Sequence, residues 1–477
     1  MVKVNQPENL YDLSQEHSCG ETQAHLNFKK PSLMMRVSRP VDTRIMHREG
    51  FHMHHKMNDK IIQVSAKTLV IGIDIAKYKH YACAVDDRGL VLERPFAFHQ
   101  STEGFHRLLK TIFLLQTTHE KVDVIVGFEP TGHYWMNLAR FLRSHGVHYV
   151  IVNPLHVKRS KELDDNHPAK TDAKDARIIA KLVRDGRYSH PRVLEGLEAE
   201  LRVGVSLRER LQKRSAILKN QMIRWMDLYF PELQLLFKEI GKHTLAVLQE
   251  TPLPADVDSK DIDGLVQIYR ASGHLKFVYR TRIRELKESA SCSLGLTEGT
   301  EMARLEIRQL VDELLRVQHQ IEDVSVRMIE IVQELPDYHF LVSIPGIGSN
   351  SAVEILSETG PFTNYDSPRQ LIKLAGLALT ENSSGTHKGR KRISKRGRKR
   401  LRSVLFRAVL PLIQFSSSFR ALYEYYTTRP VNPLKKKEAM VVLCGKLLKV
   451  GHGLCTKGVS FDEHVMRRDI TCLAQTV

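Results

Sequence analysis

Four acidic residues in the first half of the chain have the types and positions needed to bind divalent cations. Asp74 and Glu129 each end an apolar run that is typical of a buried strand. Asp172 and Asp175 are three residues apart, so on a helix they share one face. Mg²⁺ or Mn²⁺ takes carboxylate oxygens as ligands, and a pair of such ions can stabilise both oxygens of an in-line phosphoryl displacement. The four residues therefore predict a site for phosphoryl transfer.

Each acid also has a purely structural explanation when it is taken alone. Asp74 could accept hydrogen bonds from backbone amides at the end of its strand. Asp172 could be favoured by the dipole at the start of its helix. The cation site is favoured because the succession of elements could bring all four acids together. An unpaired carboxylate is costly to bury, and a bound cation would offset that cost.

The elements around these acids follow an order that is typical of an α/β sheet. A meander of three strands comes first, and a helix capped by Ser101 follows it. A fourth strand, a helix from about Tyr134 to Gly146, a fifth strand and a last helix complete the series. The predicted strands are residues 68–74, 80–86, 90–98, 122–129 and 148–152, and the last helix is 167–183. This order predicts a ribonuclease-H-like (RuvC-like) α/β fold with ligands at the carboxyl ends of the strands.

The middle of the chain, residues 191–337, changes to long helical patterns. Its second helix has apolar residues that alternate at steps of three and four, as in the seam of a coiled coil. We expect this seam to drive oligomerisation, and an intramolecular hairpin is the alternative. The seam consists of Ile307, Leu310, Leu314, Val317, Ile321, Val324, Met328, Ile331 and Leu335.

A strongly basic segment follows, and it predicts contact with nucleic acid. Between residues 388 and 402, ten of fifteen residues are Lys or Arg and none is acidic. Such a segment predicts binding that depends steeply on salt. Ser383 and Ser384 lie just before it, where a hydroxyl could attack a bound phosphate, although most loops of this kind are only linkers. The predicted nucleic-acid-binding residues are Lys388, Arg390, Lys391, Arg392, Lys395, Arg396, Arg398, Lys399, Arg400 and Arg402.

The turn at residues 344–348, with the sequence IPGIG, resembles half of a helix–hairpin–helix. Such a turn points backbone amides at a DNA phosphate, and a simple helix start explains it equally well. The rest of the C-terminal region is predicted to be mostly α-helical. We therefore divide the chain into an N-terminal extension, a catalytic domain, a helical region, a C-terminal domain and a final helix with its tail, at residues 1–66, 67–190, 191–337, 338–427 and 428–477.

The composition agrees with a protein that acts on nucleic acid in the cytoplasm. The net charge is +18, and the apolar fraction of 42% is ordinary for a globular protein. Six cysteines without CxxC spacing predict reduced thiols. No apolar run approaches the roughly 18 residues of a membrane span, and no signal peptide is evident. A His-rich segment, residues 47–57, is expected to be a solvated tail, or upstream sequence translated from an early start codon; a metal site is the alternative, and no function is assigned to the segment.

Five motifs together resemble those of the DEDD-type insertion-sequence transposases, which are related to the Piv-type DNA invertases. The resemblance covers about residues 67–415. It rests on GIDIAK at 72–77, FEPTGHYW at 128–135, KTDAKDARIIA at 170–180, IPGIG at 344–348, and the segment 383–402 with its Ser-Ser-Gly and basic residues. The sequence departs from the family at its start, where some 60 residues precede the first strand.

This resemblance implies a mechanism and partners that composition alone does not. Asp74, Glu129, Asp172 and Asp175 match the metal-binding quartet of the family, which takes Mg²⁺ or Mn²⁺. Ser384 matches its nucleophilic serine, with Ser383 as the alternative. The implied partners are the DNA of the element ends and target, a structured guide RNA, and further copies of the chain in a dimer or tetramer. The implied location is the cytoplasm of a prokaryote, at the nucleoid.

Three alternatives remain open from the sequence. A RuvC-like nuclease or resolvase would use water as the nucleophile and leave Ser384 without a role. An actin-like sugar kinase also begins with an acid near a glycine-containing strand, but no second DxGxT loop is present. The third alternative is a nucleic-acid-binding protein whose catalytic site has lost its activity, and it is disfavoured because all four acids and the serine are present.

Overall fold

The computed structural model describes most of the chain, and the described residues divide into two compact units. They are residues 53–130, 132–164, 172–191, 194–272, 277–380, 383–384, 387–388 and 391–468. The units are Met1–Pro191 and Arg192–Val477. Most of the predicted N-terminal extension, the start of the helix predicted at 167 and the end of the C-terminal tail lie outside the described residues.

A mixed sheet of six strands forms the centre of the first unit. Strand β1 lies in the middle, antiparallel to β2 and parallel to β4, while β5 is parallel to β4. The order across the sheet is β3-β2-β1-β4-β5-β6. The strands are β1 Thr68–Asp74, β2 Lys79–Val85, β3 Phe96–His99, β4 Asp123–Phe128, β5 His148–Val152 and β6 Tyr188–Ser189. This mixed sheet fits the predicted ribonuclease-H-like fold.

Helices cover both faces of this sheet, which explains why β1 is apolar along its whole length. Leu69, Ile71 and Ile73 pack on one face with α2 and α3, whereas Val70 packs on the other face with α5. Ser101 caps α2 as predicted, because its side chain accepts a hydrogen bond from the amide of Gly104. The helices are α1 Met53–Ile62, α2 Thr102–Thr118, α3 Trp135–Ser144, α4 Pro154–Asp164 and α5 Asp172–Arg184.

The structure corrects the sequence predictions at four elements of this unit. The third strand was predicted over 90–98, but between residues 90 and 95 only Val91 forms a bridge, and the strand proper begins after Pro95, which has no amide hydrogen to donate. The short β6 and the helix α4 were not predicted, and neither was α1, which lies in the predicted N-terminal extension. Helix α4 is polar, and its sequence has no clear apolar periodicity; among residues 154–161, whose burial is described, Val157 is the fully buried apolar residue.

Two helices of 34 residues, α6 and α12, are the longest elements of the second unit, and they pack against each other. Five shorter helices lie between them in the chain, in the region that the sequence left uninterpreted. The helices of this region are α6 Gly196–Tyr229, α7 Glu232–Leu236, α8 Lys242–Glu250, α9 Pro254–Asp258, α10 Ile262–Ala271, α11 Arg280–Ser291 and α12 Thr300–Gln333.

The predicted seam on α12 is part of the core of its own chain. Ile307, Leu314 and Val317 are buried against Met222 and Trp225 of α6 and against the intervening helices. The indole of Trp225 also donates a hydrogen bond to the carbonyl of Ala303. The hairpin was therefore the better interpretation, and the length of the seam gives no support for an oligomer.

The C-terminal part of this unit is a helical bundle with two short strand pairs. Helix α18 contributes Leu443, Leu447 and Leu448 to the same core as α14 and α16, although the sequence analysis separated it from them. By length and mean hydropathy α18 could cross a membrane, but half of its apolar window is buried in this core. The helices are α13 Pro336–Val342, α14 Ser349–Thr359, α15 Pro368–Leu374, α16 Lys399–Phe415, α17 Ser417–Thr428 and α18 Lys436–Lys457, with a 3-10 helix Phe362–Asn364 and strands β7 Leu379–Thr380, β8 Ser383–Ser384, β9 His387–Lys388 and β10 Arg392–Ile393.

Candidate catalytic and nucleic-acid-binding residues

The sheet brings Asp74 and Glu129 to the same edge. Asp74 is the last residue of β1, and Ile73 before it is paired in parallel register with Phe128, the last residue of β4. Glu129 follows Phe128 directly, so the two acids leave neighbouring strands side by side. Both are half-buried. The sequence predicts this arrangement, because parallel strands end at one edge of a sheet.

Helix α5 lies directly on β1, and a glycine makes the close approach possible. A Cβ atom on Gly72 would lie 2.2 Å from the carbonyl oxygen of Ala176 and 2.3 Å from the amide nitrogen of Ala180. Gly127 on β4 has a similar role, since its Cβ would lie 2.2 Å from a methyl group of Val183. The glycines and alanines of these motifs therefore allow helix and sheet backbones to meet.

This contact brings the first turn of α5 towards the end of β1. Asp172 is exposed and Asp175 is buried, and both belong to that first turn. Burial is the largest cause that raises the pKa of Asp74 to about 6. Repulsion from Asp175 and Asp172 raises this pKa further, and repulsion from Glu129 adds to it. The other three predicted acids are thus close enough to Asp74 to raise its pKa.

A lysine that the sequence analysis did not identify lies among these acids. Lys161 of α4 places its ammonium nitrogen 2.5 Å from Oδ2 of Asp175, whose side chain is only 7% exposed. The same ammonium group lowers the pKa of Asp74. Lys161 has no motif that marks it, and its polar helix offered no periodicity from which its position could be predicted.

The acids fit a divalent cation by donor type and by charge. Four carboxylates supply the hard oxygen ligands that Mg²⁺ and Mn²⁺ prefer, and their mutual repulsion would be relieved by a bound cation. In the part of the chain that the structure describes, no three His, Cys, Asp or Glu side chains are grouped closely enough to hold one ion. The Lys161 ammonium group, which pairs with Asp175, places one positive charge among these acids.

The two candidate serines lie in a small hairpin of the second unit. Strand β8 contains both, and Ser384 is opposite His387 of β9 in an antiparallel pair. In the chain the hairpin lies between the two strands of a second ribbon, in which β7 and β10 pair through Thr380 and Arg392. The sequence predicted a flexible loop here, whereas the described backbone is paired.

Backbone contacts hold the base of this ribbon against the helical bundle. Gly376 has a φ of +67°, and Lys395 donates its amide hydrogen to the Gly376 carbonyl at 3.0 Å. A Cβ on Gly397 would lie 2.4 Å from the Gly376 nitrogen, so only glycine fits there. Arg398 donates its amide hydrogen to the Leu374 carbonyl at 2.7 Å. The ribbon that leads to the serines therefore begins from a tightly packed base.

The basic segment divides into exposed residues and residues that bind the protein itself. Arg402 donates to the carbonyl of Ala375, and Arg398 donates to the carbonyl of Glu358. Arg400 pairs with Glu209 of α6. These three arginines are half-buried and stabilise the bundle. The exposed members are Lys391, Arg392, Lys395, Arg396 and Lys399, whereas Arg390 and the side chain of Lys388 lie outside the described residues.

The IPGIG turn is explained by packing. Gly346 has a φ of +94°, and a Cβ on it would lie 2.6 Å from the carbonyl oxygen of Pro411 in α16. Ile344 and Ile347 are buried in the core. The turn thus docks on α16 before Gly348 begins α14, and a contact with a DNA phosphate stays a prediction.

Comparison with known proteins agrees with both units. A family described as "Transposase" matches residues 71–231, and a family described as "Transposase IS116/IS110/IS902 family" matches residues 338–424. A 44.8 kDa protein of insertion element IS116 from Streptomyces clavuligerus is 24% identical over 390 residues, which are 80% of this chain and 92% of that protein.

Two further relatives align over most of their length. The pilin gene-inverting protein of Moraxella lacunata is 24% identical, over 83% of this chain and 98% of its own. The transposase of insertion sequence IS1111A from Coxiella burnetii is 23% identical, over 72% of this chain and 78% of its own. Since the two family matches occur in order and include the acidic and serine motifs, the chain belongs to the IS116/IS110/IS902 family of transposases.

Proposed function

We propose that this protein is a site-specific DNA recombinase that cuts the ends of an insertion sequence and joins them to a target. The observation that carries the proposal is the charge coupling of Asp74 with Asp175, Asp172 and Glu129 at the end of the central strand. Such a cluster is costly without a cation, and it occurs in a chain that resembles transposases and a gene-inverting protein.

The acidic quartet would bind Mg²⁺ or Mn²⁺. When bound, such ions stabilise the negative charge that develops on the oxygens of a phosphodiester during displacement. Asp74, Glu129, Asp172 and Asp175 would hold such an ion, and Asp175 is the most buried of the four. Lys161 would orient Asp175 through their ion pair.

Ser384 would act as the nucleophile, with Ser383 as the alternative. Its hydroxyl oxygen would form an ester bond with phosphorus while the bond from phosphorus to the leaving deoxyribose oxygen breaks, and the proton would pass to that oxygen. A hydroxyl of the joining strand would then attack the phosphorus and release the serine. The energy of each phosphodiester bond is conserved, so no external energy source is needed.

Exposed lysines and arginines around the serine ribbon would hold the nucleic acid by its backbone. The resemblance implies a second polyanion, a structured RNA that selects the sites, and the net charge of +18 suits binding of either nucleic acid. Assembly into a dimer or tetramer remains part of the proposal on family resemblance alone.

A denaturing gel tests the proposal directly. Purified protein, Mg²⁺, labelled junction DNA and RNA transcribed from the flanks of the gene should give a covalent protein–DNA adduct. The adduct should be lost in Ser384→Ala and in Asp74→Ala, and it should persist in Ser383→Ala. Cleavage without an adduct, unchanged in Ser384→Ala but abolished in Asp74→Ala, would instead establish a nuclease that uses water.

A further inference from the structure

A cavity of about 330 Å³ in the second unit lies outside the acidic quartet and the serine hairpin. Helices α6 and α16 line it, together with one residue of α14. The residues that could bind a ligand are Arg208, Gln212, Lys399, Arg400, Ser403 and Arg407. A cavity of this size admits a phosphate group with part of its sugar.

The charges in this cavity do not balance. Glu354 of α14 pairs with Arg208, at 2.8 Å, and with Arg407. Glu209 pairs with Arg400. Lys399 is exposed and forms no ion pair with any residue that the structure describes. Four cationic side chains and two carboxylates thus line the cavity, and Glu358, which is not part of the lining, also lies 3.8 Å from Arg400. The lining itself carries more positive than negative charge.

One buried donor in the cavity wall has no protein partner. The side chain of Arg208 is 12% exposed, and its Nη1 donates to Oε1 of Glu354 at 2.8 Å. Its Nε is buried and donates to no atom of the described residues. A buried donor without an acceptor is costly to the folded state.

The start of α16 adds a further preference for anions. Lys399 and Arg400 are its first two residues, its first turn has no acidic residue, and the side chain of Arg398 forms no capping hydrogen bond. The amides of a first helical turn lack partners within the helix and favour a negative group. In most helices Asp, Glu or Ser provides the negative charge or the acceptor oxygen for these amides, whereas at the start of α16 the chain supplies further positive charge.

We propose that this cavity is a binding pocket for a backbone phosphodiester of a nucleic acid. Ser403 and Gln212 supply neutral donors, Arg208 and Lys399 supply charge, and Glu354 holds the two arginines in place. The exposed Lys395 and Arg396 continue the positive surface from the start of α16. The pocket contacts no base, so it binds without regard to sequence. The inference rests on the proposed action on nucleic acid and names one place where the backbone is held.

Equilibrium binding of labelled duplex DNA and of labelled single-stranded RNA, both of arbitrary sequence, tests the pocket over a series of salt concentrations. Lys399→Ala should weaken binding about tenfold. It should also reduce the slope of log affinity against log salt by about 0.9 for duplex DNA, or by about 0.7 for single-stranded RNA. Ser403→Glu should weaken binding more, because it adds a carboxylate to the cavity. Lys449→Ala is the matched control, since it removes an exposed lysine of α18 away from the cavity.

The two nucleic acids distinguish the source of the phosphate. If the variants bind only DNA more weakly, the pocket is assigned to element DNA, and if they bind only RNA more weakly, it is assigned to RNA. If they bind both more weakly, the pocket accepts the backbone of either nucleic acid. The inference fails if Lys399→Ala and Ser403→Glu, with unfolding temperatures like that of wild type, bind both as Lys449→Ala does. If the wild-type protein binds neither, the proposed function fails instead.

Discussion

The Lys161 ammonium nitrogen lies 2.5 Å from Oδ2 of Asp175, and this pair joins two helices at the acidic end of the central strand. Among the residues of α4 whose burial the structure describes, 154–161, Val157 is the fully buried apolar residue, so the ion pair adds to what holds the helix against α5. The pair also reduces the excess negative charge around Asp74.

Removing this ammonium group should destabilise the first unit. In Lys161→Met the Asp175 carboxylate stays buried without its cation, and we expect a loss of about 1–2 kcal/mol, because Lys161 is itself 34% exposed. Urea unfolding measures the loss. Lys158→Met, an exposed lysine of the same helix, should change stability by less than about 0.5 kcal/mol. Equal stability of the two variants would mean that the ion pair contributes nothing.

Gly72→Ala tests the contact between helix and strand. A Cβ there would lie within 2.3 Å of two backbone atoms of α5, which cannot rotate away, so α5 must move off β1. We expect a loss of about 2–4 kcal/mol and a strong decrease in adduct formation, because Asp172 and Asp175 move with the helix. Gly445→Ala has open space in a helix and should be neutral or slightly stabilising. Full adduct yield in Gly72→Ala would contradict the proposed role of α5.

Glu358 should be a major source of stability in the second unit. Its side chain is 2% exposed, and it pairs with Arg202, with Arg398 at 3.7 Å and with Arg400 at 3.8 Å. Glu358→Gln leaves these arginines without their shared anion, and we expect a loss of about 2–4 kcal/mol in thermal or urea unfolding.

The exposed pair on α11 supplies the control for this variant. Glu285 and Arg282 are each about half exposed, so Glu285→Gln should cost less than about 0.5 kcal/mol. A loss of similar size in both variants would show that burial of the Glu358 carboxylate has no special effect.

His80 should make the first unit less stable as the pH falls. It is fully buried, its Nδ1 accepts the amide hydrogen of Ala76, and its Nε2 lies 2.5 Å from Oε1 of Gln100. Burial lowers its pKa below 6.5, so the folded state takes up a proton less readily than the unfolded state. The neutral His80 ring therefore makes its full contribution to stability above pH 6.5, and this contribution is lost as the pH falls towards the pKa of the folded state.

The measurement is the free energy of unfolding from about pH 7 to about pH 5. The raised pKa of Asp74 acts in the opposite direction, and the lowered pKa values of His148 and His190 act in the same direction, so variants are compared. The free energy of unfolding of His80→Gln should decrease less steeply with acidification than that of wild type. His319→Gln, at an exposed position, should follow wild type, and parallel curves for all three proteins would refute the assignment.

Much of the first unit could be predicted because its signals are local. Apolar runs that end in Asp74 and Glu129 indicate buried strands whose ends meet, and that expectation matches the parallel register of β1 and β4. The spacing of Asp172 and Asp175 indicates a shared helical face. Lys161 could not be predicted, since its importance comes from the packing of α4 on α5 rather than from any pattern around it.

Tertiary structure decided which charges and apolar residues face the protein itself. The sequence by itself determined that the segment 388–402 is basic and that α12 has an apolar seam, because composition and period are properties of neighbours along the chain. Only the fold decided that Arg400 meets Glu209 and that Ile307 meets α6 of the same chain. The physical reason is that a guanidinium group or an apolar seam is satisfied equally well by its own chain or by a partner, and only the arrangement of distant segments selects between them.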